Sequence, residues 1–188
     1  MPMYWETEEH GRFRDQVRRF TEQAVMPHLD GWEAEGRLPV SLHQQAAEAG
    51  ILQIGFPEAY GGIEVPDGFY ELIVIEELCR AGSGGLIASL LSLGIGLPPI
   101  VALGSEALKA RVLPPVLRGD AVSALAITEP GGGSDVANLQ TRARLQDDHY
   151  VLDGSKTFIT SGMRADWLTV AARTGPAGMQ GITPFAVP

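Results

Sequence analysis

The chain has 188 residues, 45% of them hydrophobic and 20% charged, which suits a globular fold and excludes a disordered or collagen-like one. With 23 acidic against 14 basic side chains the formal charge is −9, which argues against nucleic acid or an anionic membrane as the main partner. The lone Cys79 rules out a disulfide framework and a multi-cysteine zinc site.

Residues 1–6 carry no basic n-region and no apolar stretch, so a secretory signal is not expected. Glu6, Glu8 and Glu9 argue against a transit peptide. Phe13, Val17, Phe20 and Ala24 fall on one helical stripe, with Arg12, Arg14, Arg18 and Arg19 mainly on its wet side. Pro27 should end or bend this helix. A second helix is predicted over residues 40–49, closed by Gly50, and a turn-rich connector follows over residues 51–62. A third helix is predicted over residues 69–80. Residues 81–105 carry no charge, which raises the question of a membrane span. Gly84, Gly85, Gly94, Gly96 and Pro98-Pro99 interrupt the run, so it reads as a buried core helix ending near Pro98. Ser105 can cap a fifth helix, with Glu106 in its first turn, although Pro114-Pro115 should kink or split it.

Near residue 120 the pattern turns to strands, predicted over residues 122–128, 139–145, 150–159 and 167–172. Asp147-Asp148 and Asp153-Gly154 supply turn chemistry, and a further strand starts near Gly181. Helices first and strands last give an α+β class. The expected domains are a helical one over residues 1–120 and an incomplete, antiparallel, barrel-like β-domain over residues 121–188.

The densest chemical signal is Thr128-Glu-Pro-Gly-Gly-Gly-Ser-Asp135. It is neither a Walker A loop nor a GxGxxG helix start, and it reads either as a ligand loop or as an ordinary tight turn. Gly154-Ser-Lys-Thr-Phe-Ile-Thr-Ser-Gly162 sets Phe158 among hydroxyl residues at the end of a predicted strand. A strand pair could bring the two segments together. Ala81-Gly-Ser-Gly-Gly85 is one glycine short of a nucleophile elbow and reads as a turn. His10, His28, His43 and His149 have no ligand spacing and read as surface histidines. No metal site is expected.

Together the two segments resemble the flavin-binding region of the acyl-CoA dehydrogenase family. The Gly-Phe-Pro-Glu-Ala-Tyr-Gly-Gly connector at residues 55–62, Ile75-Glu-Glu-Leu78 and Leu113-Pro-Pro-Val-Leu-Arg-Gly119 fall in the family's order. The resemblance implies an FAD site in which Leu125, Ile127 and Thr128 lie along the isoalloxazine and Thr128 bonds its polar edge. Gly133 and Ser134 would meet the pyrophosphate and the CoA side of the acyl thioester. Phe158, Ile159 and Thr160 would back the ring, with Thr160 toward N5. Fixed donors at those edges suit a reduced, anionic ring. The acyl chain would be lined by Ile87, Leu90, Leu91 and Gly94, which read equally well as plain core.

The resemblance implies α,β-dehydrogenation of an acyl-CoA to the trans-2-enoyl-CoA. An electron-transferring flavoprotein would be the acceptor, in a cytoplasmic, bacterial homo-oligomer (dimer or tetramer) or a processed mitochondrial form. Family members continue into a C-terminal helical bundle carrying the carboxylate base. The catalytic base is therefore expected outside residues 1–188, and this chain alone is expected to be inactive. Glu129, the tempting base inside the signature, is expected to serve structure instead. A flavin oxidase or monooxygenase of the same fold, or a non-catalytic short paralogue acting as a binding module, are the alternatives.

Overall fold

The computed structural model describes residues 4–188 and runs from helices to strands, the α+β order expected; residues 1–3, the start of the stretch read for a signal, lie outside the described residues. The chain divides into two compact units. One comprises the residues up to Leu91 together with Ala110–Ala121; the other comprises Ser92–Lys109 and Val122–Pro188.

In the helical unit, α1 (Glu8–Phe20) opens with a capping box. Thr7 Oγ1 accepts the His10 amide at 3.3 Å, and His10 Nδ1 accepts the Thr7 amide at 3.2 Å. Nε2 therefore carries the proton toward Asp67 Oδ1 at 3.3 Å, and the ring packs on Tyr70 at 4.6 Å. His10 is thus a buried cap rather than the surface residue expected, and His43 is buried as well. The apolar stripe also shifts. A π-turn at Thr21–Val25 inserts an extra residue, so Val25 is fully buried and Ala24 only half-buried. A 3₁₀ turn at Met26–His28 then carries Pro27 into α2 (Leu29–Glu35).

The next helix, α3 (Val40–Glu48), closes on Gly50 at φ 68°, where the Gly50 amide bonds Ala47 O and the Ile51 amide bonds Ala46 O. The connector that follows buries Ile51, Leu52 and Ile54. Helix α4 (Phe69–Cys79) packs against α1 through a charged contact. Glu77, 3% exposed, accepts from Arg14 at 3.0 Å and from Arg18 at 2.8 and 3.0 Å. Arg14, expected on the wet face, is only 14% exposed and also meets Glu6 and Glu76. Burial pushes the Glu77 carboxyl up, but hydrogen bonds from Arg18 and Arg14 outweigh it and hold it below the usual carboxylate range.

The uncharged run forms three short helices rather than one: α5 (Gly84–Leu90), α6 (Leu93–Gly96) and α7 (Pro98–Leu103). No single helix among the described residues is long and apolar enough to cross a membrane. Ser83 caps α5 through the Leu86 amide at 3.1 Å and also donates to Glu33, consistent with a turn and not an elbow. The last helix, α8 (Glu106–Leu117), takes its cap from Ser105, as expected. It continues through Pro114 and Pro115 without splitting. Val112, Leu113, Val116 and Leu117 are buried, which offsets the two lost amide bonds. Gly119 ends it at φ 74°, and a Cβ there would lie 2.4 Å from the His43 backbone, so only glycine fits.

In the second unit the strands are β1 (Ser123–Ala126), β2 (Arg142–Gln146), β3 (His149–Asp153), β4 (Trp167–Arg173) and β5 (Ile182–Val187). Antiparallel pairing holds for β2–β3 and β4–β5, whereas β1 joins β4 in parallel and β2 touches β4 only at Arg142↔Arg173. The sheet is therefore mixed and open. Three strands are shorter than predicted, the first ending at Ala126 instead of residue 128. Residues 136–138 form a 3₁₀ turn before β2, and the chain leaves β3 at Asp153 to turn through Phe158 at φ 55° and Ser161 at φ 62°. Helix α6 seats on the sheet through hydroxyls: Ser92 Oγ donates to Ser123 O at 2.9 Å and Thr169 Oγ1 to Gly96 O at 2.6 Å.

Glu77→Ala should cost about 3 kcal/mol, because it leaves Arg14 and Arg18 short of their buried acceptor and removes the longer contact with Arg80 at 3.4 Å. The native contribution of Glu77 is present above its unfolded pKa of about 4.5 and is lost as pH falls below it. Urea denaturation at pH 7 and pH 3 checks this, with the exposed Arg37→Ala as a control expected within about 0.5 kcal/mol of the parent.

Candidate functional site

The two segments singled out in the sequence meet. The Thr157 amide donates to Thr128 O at 2.9 Å, and Lys156 Nζ donates to Ile127 O at 2.8 Å and to Glu129 Oε1 at 2.9 Å. These bonds form across the ends of the segments rather than along a continuous ladder. The pairing expected from two strands is made instead by a strand end and a turn.

Between Glu129 and Gly132 the loop folds into a tight turn. The Gly132 amide bonds Glu129 O at 3.1 Å, and the Glu129 amide bonds Gly132 O at 3.0 Å, with Pro130 in the second position. Neither Gly131 nor Gly132 adopts a positive φ, and a Cβ on either would meet nothing within 4 Å. Internal packing therefore does not account for these glycines. They leave open space at an exposed backbone, the condition for close approach of a ligand. Gly133 is tighter, with a Cβ 3.3 Å from Thr128 Cγ2. Phe158 supplies a second signal of the same kind: it is 92% exposed and held in the left-handed region, a strained backbone presenting a bare aromatic ring. An exposed aromatic ring, hydroxyl side chains and an open glycine turn, carried by two segments joined through the Thr157 amide on Thr128 O, are groups that suit the planar ring and phosphates of a dinucleotide flavin.

Glu129 is buried, at 8% exposure, and its carboxylate is fully used. It accepts from the Gln140 amide at 2.6 Å, the Thr141 amide at 2.8 Å and Lys156 Nζ at 2.9 Å. Burial alone pushes it up, yet bonds from Thr141, the Gln140 amide and Lys156 outweigh this and hold it at about 2. Such a carboxylate is a poor proton acceptor near neutrality.

The structure places the sequence-predicted residues as follows. Leu125 lies in β1, and Ile127 and Thr128 follow it half-buried; Gly133 and Ser134 are exposed on the glycine turn. Phe158 and Thr160 are exposed, with Ile159 half-buried between them. All of these fall in the sheet unit. Ile87, Leu90 and Leu91 belong to the helical unit, where Leu90 is fully buried and the other two are half-buried; Gly94 is exposed in the other unit. Lys156 was not singled out by sequence. Its signal was a lone cation two residues before Phe158 in a hydroxyl-rich run. Arg173 is another such residue, donating to the carbonyls of Ala137, Leu139, Pro176 and Gly178 and so tying the chain beyond the glycine turn to the end of β4.

Glu129→Gln should destabilise the protein at pH 7 by an amount on the order of 3 kcal/mol. Because the native pKa lies below the unfolded one, the stabilisation is present above about pH 4.5 and vanishes as pH falls through about 2. Parent and variant stabilities measured by denaturation across pH 2–7 should therefore converge at the acid end; a constant difference would contradict the assignment.

The model of the acyl-CoA dehydrogenase N-terminal domain matches residues 7–120, and that of the middle domain matches residues 124–188. A Mycobacterium smegmatis structure assigned to the acyl-CoA dehydrogenases is 48% identical with a TM-score of 0.94, over 98% of this chain and 49% of that one. The structure of a glutaryl-coenzyme A dehydrogenase with glutaryl-CoA is 32% identical with a TM-score of 0.91, over 99% of this chain and 48% of the other. Acyl-CoA dehydrogenase AFT10-1 of Alternaria alternata is 36% identical, over 96% of this chain and 45% of the relative. The chain thus spans about half the length of the curated relatives it matches. With both domain models matched in chain order across nearly all of its residues, the chain belongs to the acyl-CoA dehydrogenase family.

Proposed function

We propose that the complete protein is an FAD-dependent acyl-CoA dehydrogenase that converts an acyl-CoA thioester to its trans-2-enoyl-CoA, and that this chain supplies the flavin face. The observation that carries the reading is the junction of the two segments. Thr157 N–H on Thr128 O sets the strand end of Leu125, Ile127 and Thr128 beside the turn of Phe158, Ile159 and Thr160. FAD, when bound, supplies a two-electron acceptor for the substrate's β-hydrogen.

The residues of this chain bind and orient. Thr128 and Thr160 would donate to the polar edge of the ring, Phe158 would cover its flat face, and Gly133 and Ser134 would approach the pyrophosphate and the thioester. Ile87, Leu90, Leu91 and Gly94 would line the acyl chain. The proton leaves the α-carbon to a carboxylate base outside these residues. The fully engaged Glu129, held at about 2, supports looking for it elsewhere. On this reading residues 1–120 are the N-terminal helical domain and residues 121–188 part of the middle β-domain. The complete enzyme is a homo-oligomer in the cytoplasm or the mitochondrial matrix that passes electrons to an electron-transferring flavoprotein.

The test is the complete gene product, purified and assayed with octanoyl-, palmitoyl- and isovaleryl-CoA and an artificial electron acceptor. A flavin absorbance band and an enoyl-CoA product are expected. Purified, folded protein with neither would overturn the reading. Thr160→Val should weaken FAD binding by roughly 0.5–1.5 kcal/mol or shift its reduction potential. Unchanged affinity, spectrum and potential would remove Thr160 from the site.

A further inference from the structure

We propose that Lys156 is a positioning residue: its ammonium latches the strand end that carries Ile127 and Thr128 to the turn that carries Phe158 and Thr160. In doing so it sets the geometry and polarity of the face assigned above to the flavin, and the proposal rests on that assignment.

Three features point to this. First, consecutive residues of one segment make cross-bonds to consecutive residues of the other. Lys156 Nζ reaches Ile127 O at 2.8 Å and Glu129 Oε1 at 2.9 Å, and the Thr157 amide reaches Thr128 O at 2.9 Å. Both side chains of the ion pair are nearly buried, at 11% and 8% exposure, so water competes little with these bonds. Second, the carboxylate that Lys156 neutralises also accepts the Gln140 and Thr141 amides. One charge pair therefore fixes the entry of the glycine turn, its exit and the facing segment. Third, Ile127 O and the Thr128 amide belong to one peptide unit. A cation on that carbonyl polarises the unit and strengthens its N–H as a donor, at the point where the ring's electron-rich edge is assigned. Stability alone does not explain the pair, since a buried ion pair adds little over apolar side chains of the same size.

The test uses the complete protein with K156M, K156R and the double variant E129Q/K156M. Four quantities are read: amide exchange at Thr157 and Gly132 without flavin, the FAD dissociation constant, the flavin reduction potential and Tm. In K156M, exchange at Thr157 should accelerate, FAD should bind about tenfold more weakly or worse, and the potential should fall because a nearby cation is gone. K156R should recover part of each. The double variant removes both charges together, so its Tm should fall no further than that of E129Q alone, and it should still bind FAD weakly. Unchanged exchange at Thr157 in K156M would overturn the latch. So would a lower Tm with FAD affinity and potential unchanged, which is the signature of a purely structural role. If the parent itself binds no FAD, the flavin reading fails and carries this proposal with it. That result is distinct from a parent and a K156M that bind FAD equally well, which overturns the latch alone.

Discussion

A single buried carboxylate sets the arrangement of the sheet unit's open glycine turn. Glu129 stands at the start of the glycine turn and holds the amides that follow the turn, Gln140 and Thr141, as well as the ammonium of Lys156. A carboxylate removed from water is costly unless each lone pair finds a donor. Here the donors come from separate stretches of the chain, so satisfying the charge fixes them relative to one another. The turn itself can then be built of glycine, with nothing packed over Gly131 or Gly132, because its ends are held from below.

The helical unit solves a similar problem with different donors. Glu77 faces α1 from α4 and is met by Arg14 and Arg18, whose guanidinium groups supply the fork that a carboxylate needs. In both units the charge specifies which segments meet, while the apolar residues around it supply the larger share of the stabilisation. The units differ in what they leave outside. In the helical unit the aromatic rings largely pack on one another, as in the His10–Tyr70 and Phe13–Tyr70 contacts. In the sheet unit Phe158 is left bare in a strained backbone.

Much of this was legible in the sequence. Periodicity and capping residues located most of the long helices, and the two glycine- and hydroxyl-rich segments do meet, though through a strand end and a turn and not through the strand pair expected. What failed did so for local reasons. The π-turn at Thr21–Val25 leaves no compositional mark, so the buried stripe was assigned to Ala24 instead of Val25. His10 looked like a surface residue because a capping role through Nδ1 and a distant partner, Asp67, are invisible along the chain. The strand over residues 150–159 was overdrawn because β-like residues continue past Asp153 while the backbone turns left-handed at Phe158. Pro114 and Pro115 suggested a break that burial of their neighbours prevents. Lys156 was passed over because a lone lysine carries no pattern; only the fold shows which carbonyl and which carboxylate it reaches.

The central claim is that residues 125–135 and 156–162 form one continuous flavin face. Hydrogen exchange of the complete protein, with FAD added to the flavin-free form, tests it most directly. The account predicts that both stretches gain protection together, while the hairpin of β2 and β3 over residues 144–151, which carries none of the assigned contacts, stays unchanged. Protection confined to other parts of the protein, or gained in one stretch without the other, would contradict it.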